Sequence, residues 1–227
     1  MIENIFIENL EKEQITLTDT MKNQFRLYAK LLQEYNEKIN LTSIVEIGEI
    51  YEKHFYDSLL LNRLVKLEGS LCDVGSGAGF PGIPCKIAFP DLELTIIEPL
   101  KKRCVFLETL CNELGIKVNI INGRAEEITE KYDIVTARAV ANLRILAELC
   151  IPLVRVDGHF IAMKGSQGEQ EKKEAQKATT FLGCRLEKED VIQLPNEATR
   201  VNLLYKKVKP TPKGYPRMYA KIKKKPL

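Results

Sequence analysis

The stretch DVGSGAGFPGIP, residues 73–84, sets an acid before four glycines and two prolines. Glycine is costly to order and proline gives up a backbone donor, so a run rich in both is either loose or held in an unusual shape. An apolar run precedes it and GIPCKIAF follows, with Pro84 in the first turn of an expected short helix. Strand, glycine turn and helix together let a ligand approach the backbone and meet the free N–H groups of a helix start. The spacing separates ligand classes. A dinucleotide fingerprint needs Gly-x-Gly-x-x-Gly, and counting from Gly75 and Gly77 its third glycine falls on Phe80. A pyrophosphate loop is therefore disfavoured.

Asp73 followed by Gly75, Gly77 and Gly79 instead resembles the first motif of the Rossmann-like methyltransferases that use S-adenosylmethionine. In that class the loop passes under the methionine part and the ribose. The next apolar run, LELTIIE, ends in Glu98, where an acid at the carboxyl end of a strand can accept hydrogen bonds from both ribose hydroxyls. GRAEEI follows the third such run, the segment that in this resembled class usually meets the adenine, which makes Ala125 and Glu126 candidates for that contact. Acids enriched at a helix start for its dipole are the alternative there.

The elements that must position these residues fall into two parts. Residues 18–39 place Met21, Phe25, Tyr28, Leu32, Tyr35 and Ile39 at spacings of four and three, one face of a helix. EIYEKHFYDSLLLNRLV predicts a second helical stretch, with NLTSI as the turn between the two, so residues 1–66 form a helical extension. His54 and Asp57 lie one turn apart, within reach of a shared hydrogen bond, and a structural role is expected for both. Beyond Gly69, SLCDVG, LELTIIE, KVNIIN, YDIVTAR and GHFIAMKG read as buried strands. PLKKRCVFLETLCNELG, stopped by Gly115, and AVANLRILAELCIPLV read as helices between them. Strand alternating with helix implies an α/β fold, a mostly parallel sheet covered on both faces. CRLEKEDVIQL and TRVNLLYKKV, with no helix between them, predict an antiparallel pair at one edge. The 227 residues thus read as a single domain: the extension, a core over 67–208 and a basic tail over 209–227.

Composition bounds the function further. At 44% hydrophobic residues the chain supports a proper core, and no run approaches the apolar length of a membrane span. A cytoplasmic protein with no membrane partner is expected. The six cysteines, Cys72, Cys85, Cys104, Cys111, Cys150 and Cys184, form no CxxC pair and read as buried thiols; with His54 and His159 the only histidines, no metal is expected. Net charge is only +3, but from Lys206 onward the chain carries nine lysines and arginines and no acid. Such a run is a footprint for an anionic partner, or a tail that keeps the protein soluble.

A narrower resemblance then emerges. YNEKINLTSI, HFYDSLL, DVGSGAGFPGIP, EPLKKRCVFLE, GRAEE, VTARAVANL, MKG, TPKGYPR and KKKPL, in this order, resemble the glucose-inhibited division protein B family. Those proteins are bacterial methyltransferases acting on guanine N7 of small-subunit ribosomal RNA. The resemblance implies a Rossmann-like fold, S-adenosylmethionine as cofactor, and 16S ribosomal RNA or the small ribosomal subunit as partner; a monomer is expected. It implies cofactor contacts at Gly75, Phe80, Ala125, Glu126 and Arg138, to which the loop and strand-end readings add Gly77, Gly79 and Glu98. It places Lys164, Arg200, Tyr215 and Arg217 near the RNA-facing side.

The chemistry agrees. Methyl transfer from a sulfonium is an in-line displacement in which the protein positions donor and acceptor and excludes water. Guanine N7 offers a lone pair and no proton, so no residue for proton transfer is required. Methylation at C5 of a pyrimidine would call for a cysteine nucleophile, whereas Cys150 reads as packing. Arg138 stands at the mouth of the site, as a contact to cofactor, phosphate or guanine O6, or as a structural ion pair at a strand end. Tyr215 or Phe80 would offer a stacking platform for a base. The rival readings are an assembly factor with a non-catalytic cofactor pocket and a small-molecule methyltransferase.

Overall fold

The computed structural model describes residues 2–195 and 198–227. Its first part is helical, with α1 (Ile2–Lys12) and α2 (Asp19–Ile39). The Thr18 side chain accepts from the Met21 N–H and so starts α2, while Asn40, left-handed at φ 47°, ends it. The face read from the sequence packs as expected, with Phe25, Tyr28 and Leu32 buried and Met21, Tyr35 and Ile39 against the same core. The second helical stretch is less regular than its spacing predicts. It runs through α3 (Ile47–Glu49), a π-helical segment (Ile50–Tyr56), α4 (Asp57–Leu59) and a 3-10 turn (Leu60–Arg63). Widened turns of this kind occur often at functional sites. Here the Lys53 carbonyl, His54 and Asp57 all turn toward one neighbour, Arg138.

Strands and helices then alternate: β1 (Ser70–Val74), α5 (Gly82–Ala88), β2 (Glu93–Ile97), α6 (Lys101–Leu114), β3 (Asn119–Ile121), a 3-10 turn (Ala125–Glu127), β4 (Tyr132–Arg138), α7 (Leu143–Cys150), β5 (Val154–Lys164) and α8 (Gly168–Phe181). The chain ends in β6 (Cys184–Gln193), β7 (Thr199–Lys207) and α9 (Tyr219–Lys224). The sheet order is β3-β2-β1-β4-β5-β7-β6, parallel up to β5, with β7 antiparallel to both β5 and β6.

Two differences from the sequence reading have physical reasons. The helix expected from Ala139 begins only at Leu143, because Ala139 takes a left-handed φ of 56° and the Asn142 side chain caps the helix by accepting from the Arg144 N–H. α8 was not expected. Gly168, Ala175, Ala178 and Thr179 are its buried residues, so it packs through small side chains and shows no large apolar stripe in the sequence.

The sheet is covered on both faces. Leu71, Ile134, Ile161 and Met163 face the core shared with α1, α2, α5 and α6, while Cys72, Val74, Val135 and Ala137 face the core shared with α7 and α8. All six cysteines are buried free thiols, and Cys150 is packing as read. An aromatic cluster joins the helical extension to the glycine loop. Tyr28 and His54 each stack on Phe80, at centroid distances of 5.3 and 4.3 Å. Full burial of such a ring contributes about 1.5–3 kcal/mol.

Candidate active site

β1, β2, β4 and β5 end at Val74, Ile97, Arg138 and Lys164 on one edge of the sheet. β7 runs the other way and begins there, with Val201 opposite Lys164. The strand order reverses between β1 and β4, the place where open α/β sheets bind ligands beyond the carboxyl ends of their strands. Two clefts open at this edge and meet at Ala139.

The first cleft, of about 380 Å³, is lined by Gly75, Glu98, Arg124, Ala125, Glu126 and Val140 among others. Its volume suits a small-molecule ligand. The glycine loop is held rather than loose. Asp73 Oδ2 accepts from Ser76 Oγ at 2.6 Å and from the Gly82 N–H at 2.8 Å, which pins both ends of the loop. Burial pushes the Asp73 pKa up to about 6 against those hydrogen bonds. The glycines then divide by role. At Gly77, with φ +62°, a Cβ would meet nothing within 4 Å, so its surroundings are open to a ligand. At Gly75 a Cβ would lie 2.7 Å from Val140, and at Gly79, with φ +105°, 2.5 Å from the Tyr28 hydroxyl. Gly75 lines the cleft, whereas Gly79 is required by packing behind the loop.

Glu98, 1% exposed, accepts from the Gly77 N–H at 3.0 Å and from the Leu100 N–H at 2.9 Å. Each carboxylate oxygen retains acceptor capacity beyond one such bond. Glu126 Oε1 is buried and has no hydrogen-bond partner. The Arg124 guanidinium faces that oxygen at 3.8 Å, an ion pair without a hydrogen bond, so a ligand that donates to it would supply the bond it lacks.

The second cleft, of about 370 Å³, is lined by Arg138, Met163, Lys164, Ser166, Glu171 and Arg200 among others. Arg138 faces it and is absent from the lining of the first. Its Nη1 donates to Asp57 Oδ2 at 3.0 Å and to the Lys53 carbonyl at 3.2 Å, and its Nη2 lies 3.1 Å from His54 Nδ1. Asp57, 0% exposed, bonds Arg200 through its other oxygen at 2.9 Å. One buried carboxylate therefore holds two arginines from two strands. The ion pair considered for Arg138 is what the structure contains, and in place of a bond between His54 and Asp57, Arg138 donates to Asp57 and lies within hydrogen-bond distance of His54 Nδ1. Burial first, then the charge of Arg138, lowers the His54 pKa to about 3, so the imidazole is neutral. With Thr42 Oγ1 at 3.0 Å from Nε2, the neutral ring can accept from Arg138 through Nδ1.

Phe80 is not a platform for a base. It is 5% exposed, covered by Tyr28 and His54, and the Arg138 guanidinium lies 5.0 Å from its ring centroid. None of Gly77, Gly79 and Phe80 is among the lining residues of either cleft. Lys164 is buried at the mouth, donating to Glu171 at 2.8 Å and to the Ala141 carbonyl at 2.9 Å. Lys164 and Arg200 come together, but Tyr215 and Arg217 lie elsewhere. Tyr215 packs edge-on against Phe181, the last residue of α8, while Glu171 beside Lys164 belongs to its first turn. Arg217 pairs with the fully buried Glu148 at 2.5 Å.

A family model described as rRNA small subunit methyltransferase G matches residues 21–198. The chain belongs to this family. Curated relatives named ribosomal RNA small subunit methyltransferase G agree over almost the whole length. Those of Lactobacillus helveticus and Lysinibacillus sphaericus are 47% and 44% identical, covering 98% and 100% of this chain and the same shares of their own. The fold recurs at low identity in a methyltransferase of Pyrococcus furiosus (TM-score 0.59, 12% identity, 83% of this chain and 98% of that one). It recurs too in a SAM-dependent O-methyltransferase of Thermotoga maritima (TM-score 0.55, 15% identity, 80% and 73%). The chain is thus an rRNA methyltransferase of the α/β, Rossmann-like class, and the two rival readings fall away.

Three features of this rRNA methyltransferase escaped the sequence. Glu171 reaches from α8 to Lys164 and accepts from the Leu143 N–H at 2.6 Å, so it caps α7 as well. Nothing in the polar run of α8 marks it. Asp57 was visible as the acid of HFYD, but its arginine partners lie 81 and 143 residues away. Tyr219, from the stretch read as a basic tail, lines the first cleft.

Proposed function

We propose that this enzyme transfers a methyl group from S-adenosylmethionine to N7 of one guanine in 16S ribosomal RNA, with the donor in the first cleft and the guanine in the second. The observation that carries the reading is the meeting of the two clefts at Ala139. One holds the glycine loop at Gly75 and a buried carboxylate oxygen, Glu126 Oε1, that receives no hydrogen bond among the described residues, and the other presents Lys164 and Arg200.

The residues fit the donor. Bound there, it would supply an electrophilic methyl group on a sulfonium. Gly77 leaves room along the loop, Gly75 lines the cleft with backbone alone, Glu98 accepts from ribose hydroxyls, and Ala125 and Glu126 receive the adenine, with Glu126 Oε1 as acceptor for its amino group. Gly79 and Phe80 serve the donor from behind, by fixing the loop. Arg138 borders the reacting centre from the second cleft, held in place by Asp57, neutral His54 and the Lys53 carbonyl. Lys164 and Arg200 face the RNA and hold phosphate or the guanine edge, while Tyr215 and Arg217 support the basic segment. No group moves a proton, because N7 has none to lose; catalysis is positioning and exclusion of water. The chain works as a single domain, its helical extension supplying the clamp on both arginines.

Methyl-labelled S-adenosylmethionine, incubated with unmodified small subunits and in parallel with naked 16S ribosomal RNA, tests the reading. Label at one guanine, cleavable by the chemistry that opens N7-methylguanine, is the expected result. Label at an exocyclic amine or a ribose would refute the assignment to N7.

A further inference from the structure

We propose that Tyr219 is a binding residue of the donor cleft, and that through it α9 ties donor occupancy to the seating of the basic C-terminal segment. The inference rests on the reading that S-adenosylmethionine occupies the first cleft. Tyr219 lines that cleft beside Arg124, Ala125, Glu126 and Leu149. The Arg124 guanidinium lies 5.0 Å from its ring centroid, which fixes the ring on the side where Ala125 and Glu126 receive the adenine. A planar aromatic face next to a purine site contributes by stacking, which depends on the ring and not on the phenol hydroxyl. Tyr219 lies beyond residues 21–198, the stretch that the family model matches.

The coupling follows from how α9 is held. Six residues make less than two helical turns, and an isolated helix that short does not persist in water. It stays in place by docking. Ile222 is fully buried, Arg217 bonds Glu148 and the Lys225 carbonyl, and Arg144 donates to the carbonyls of Pro226 and Leu227. The same helix exposes Lys221, Lys223 and Lys224 to solvent. A ligand that touches Tyr219 binds only the docked arrangement, and by linkage it must stabilise that arrangement and the placement of those lysines.

Two measurements with S-adenosylhomocysteine test this. By calorimetry, Tyr219→Ala and Tyr219→Leu weaken binding at least fivefold, while Tyr219→Phe stays within twofold of the parent. By limited trypsin digestion followed by mass spectrometry, saturating S-adenosylhomocysteine slows cleavage after Lys221, Lys223 and Lys224 at least threefold in the parent protein. Unchanged affinity in Tyr219→Leu, or no protection of the parent at saturation, overturns the proposal. Digestion of the parent protein needs no variant, so a misfolded substitution cannot mask the answer. Gly77→Val separates the two readings. If it abolishes binding while the Tyr219 variants do not weaken it, only the role of Tyr219 fails; if it leaves binding intact, the placement of the donor itself fails.

Discussion

Asp57 is the residue on which the second cleft depends. Its two oxygens hold Arg138 and Arg200 at 3.0 and 2.9 Å with the carboxylate excluded from water. Removing one partner of a buried pair leaves uncompensated charge and costs about 3 kcal/mol. Asp57→Asn keeps the shape and loses the charge, so it should lower unfolding stability by about that amount in a urea titration and lower the methylation rate more than the affinity for S-adenosylhomocysteine. The neighbouring His54 makes a separate prediction. Its pKa falls from 6.5 to about 3 on folding, so between those values the unfolded chain binds a proton that the folded chain does not. Stability from this group is present above pH 6.5 and is lost as pH falls, at up to about 1.4 kcal/mol per pH unit. Asp73, raised to about 6, acts with the opposite sign between its ordinary 3.8 and that value. The His54 contribution is therefore read as a difference: from pH 7 to 5, the parent protein should lose stability more steeply than His54→Gln. Parallel curves would contradict a neutral, buried imidazole.

At the scale of the element, the glycine loop shows what the sequence makes legible. Strand, turn and helix follow from Val74, the glycines and Pro84; of the cleft-lining positions, Gly75 is legible because a loop beneath a ligand needs bare backbone, Glu98 from its place at a strand's carboxyl end, and Ala125 and Glu126 only through the resemblance to this fold and family. Phe80 and Gly79 could not be separated from them, since the difference is the far side of the loop, where Tyr28 arrives from 50 residues away. The same limit hid α8 and its Glu171, whose small buried residues leave no periodic apolar signal, and the π-helical turns at Ile50–Tyr56, which keep helical composition while rotating His54 and Asp57. Two substitutions should separate the faces of the loop. Gly77→Ala meets only the strain of a left-handed alanine, about 1 kcal/mol, and, on the proposed placement of the donor, intrudes on it. It should lower affinity for S-adenosylhomocysteine with little change in thermal unfolding. Gly79→Ala drives a methyl against Tyr28 and Ile83 at 2.5 and 2.8 Å. It should lose about 3 kcal/mol of stability from overpacking and backbone strain together.

At the scale of the whole molecule, the basic segment is both a charged surface and part of the wall of the enzyme. From Lys207, buried and bonded at 3.0 Å to the carbonyls of Ile151 and Leu182, the chain crosses α7, pairs Arg217 with Glu148 and brings Tyr219 to the first cleft. Burial lowers the Lys207 pKa to about 8, the mark of a lysine spent on structure. Deleting residues 210–227 would therefore confound two effects, since it strips Glu148 of its partner and opens the cleft while removing cations. Neutralising only exposed lysines separates them. Lys221, Lys223, Lys224 and Lys225 are solvent-exposed, and replacing all four with glutamine leaves Ile222, Arg217 and Tyr219 in place. Each cation that meets a phosphate of single-stranded RNA adds about 0.7 to the slope of log affinity against log salt. The fourfold variant should thus bind unmodified ribosomal RNA with a slope shallower by about 0.7 for every phosphate those lysines neutralise in the parent, at unchanged affinity for S-adenosylhomocysteine. Equal slopes for variant and parent would mean that the segment serves the donor cleft alone and that RNA is gripped at Lys164 and Arg200.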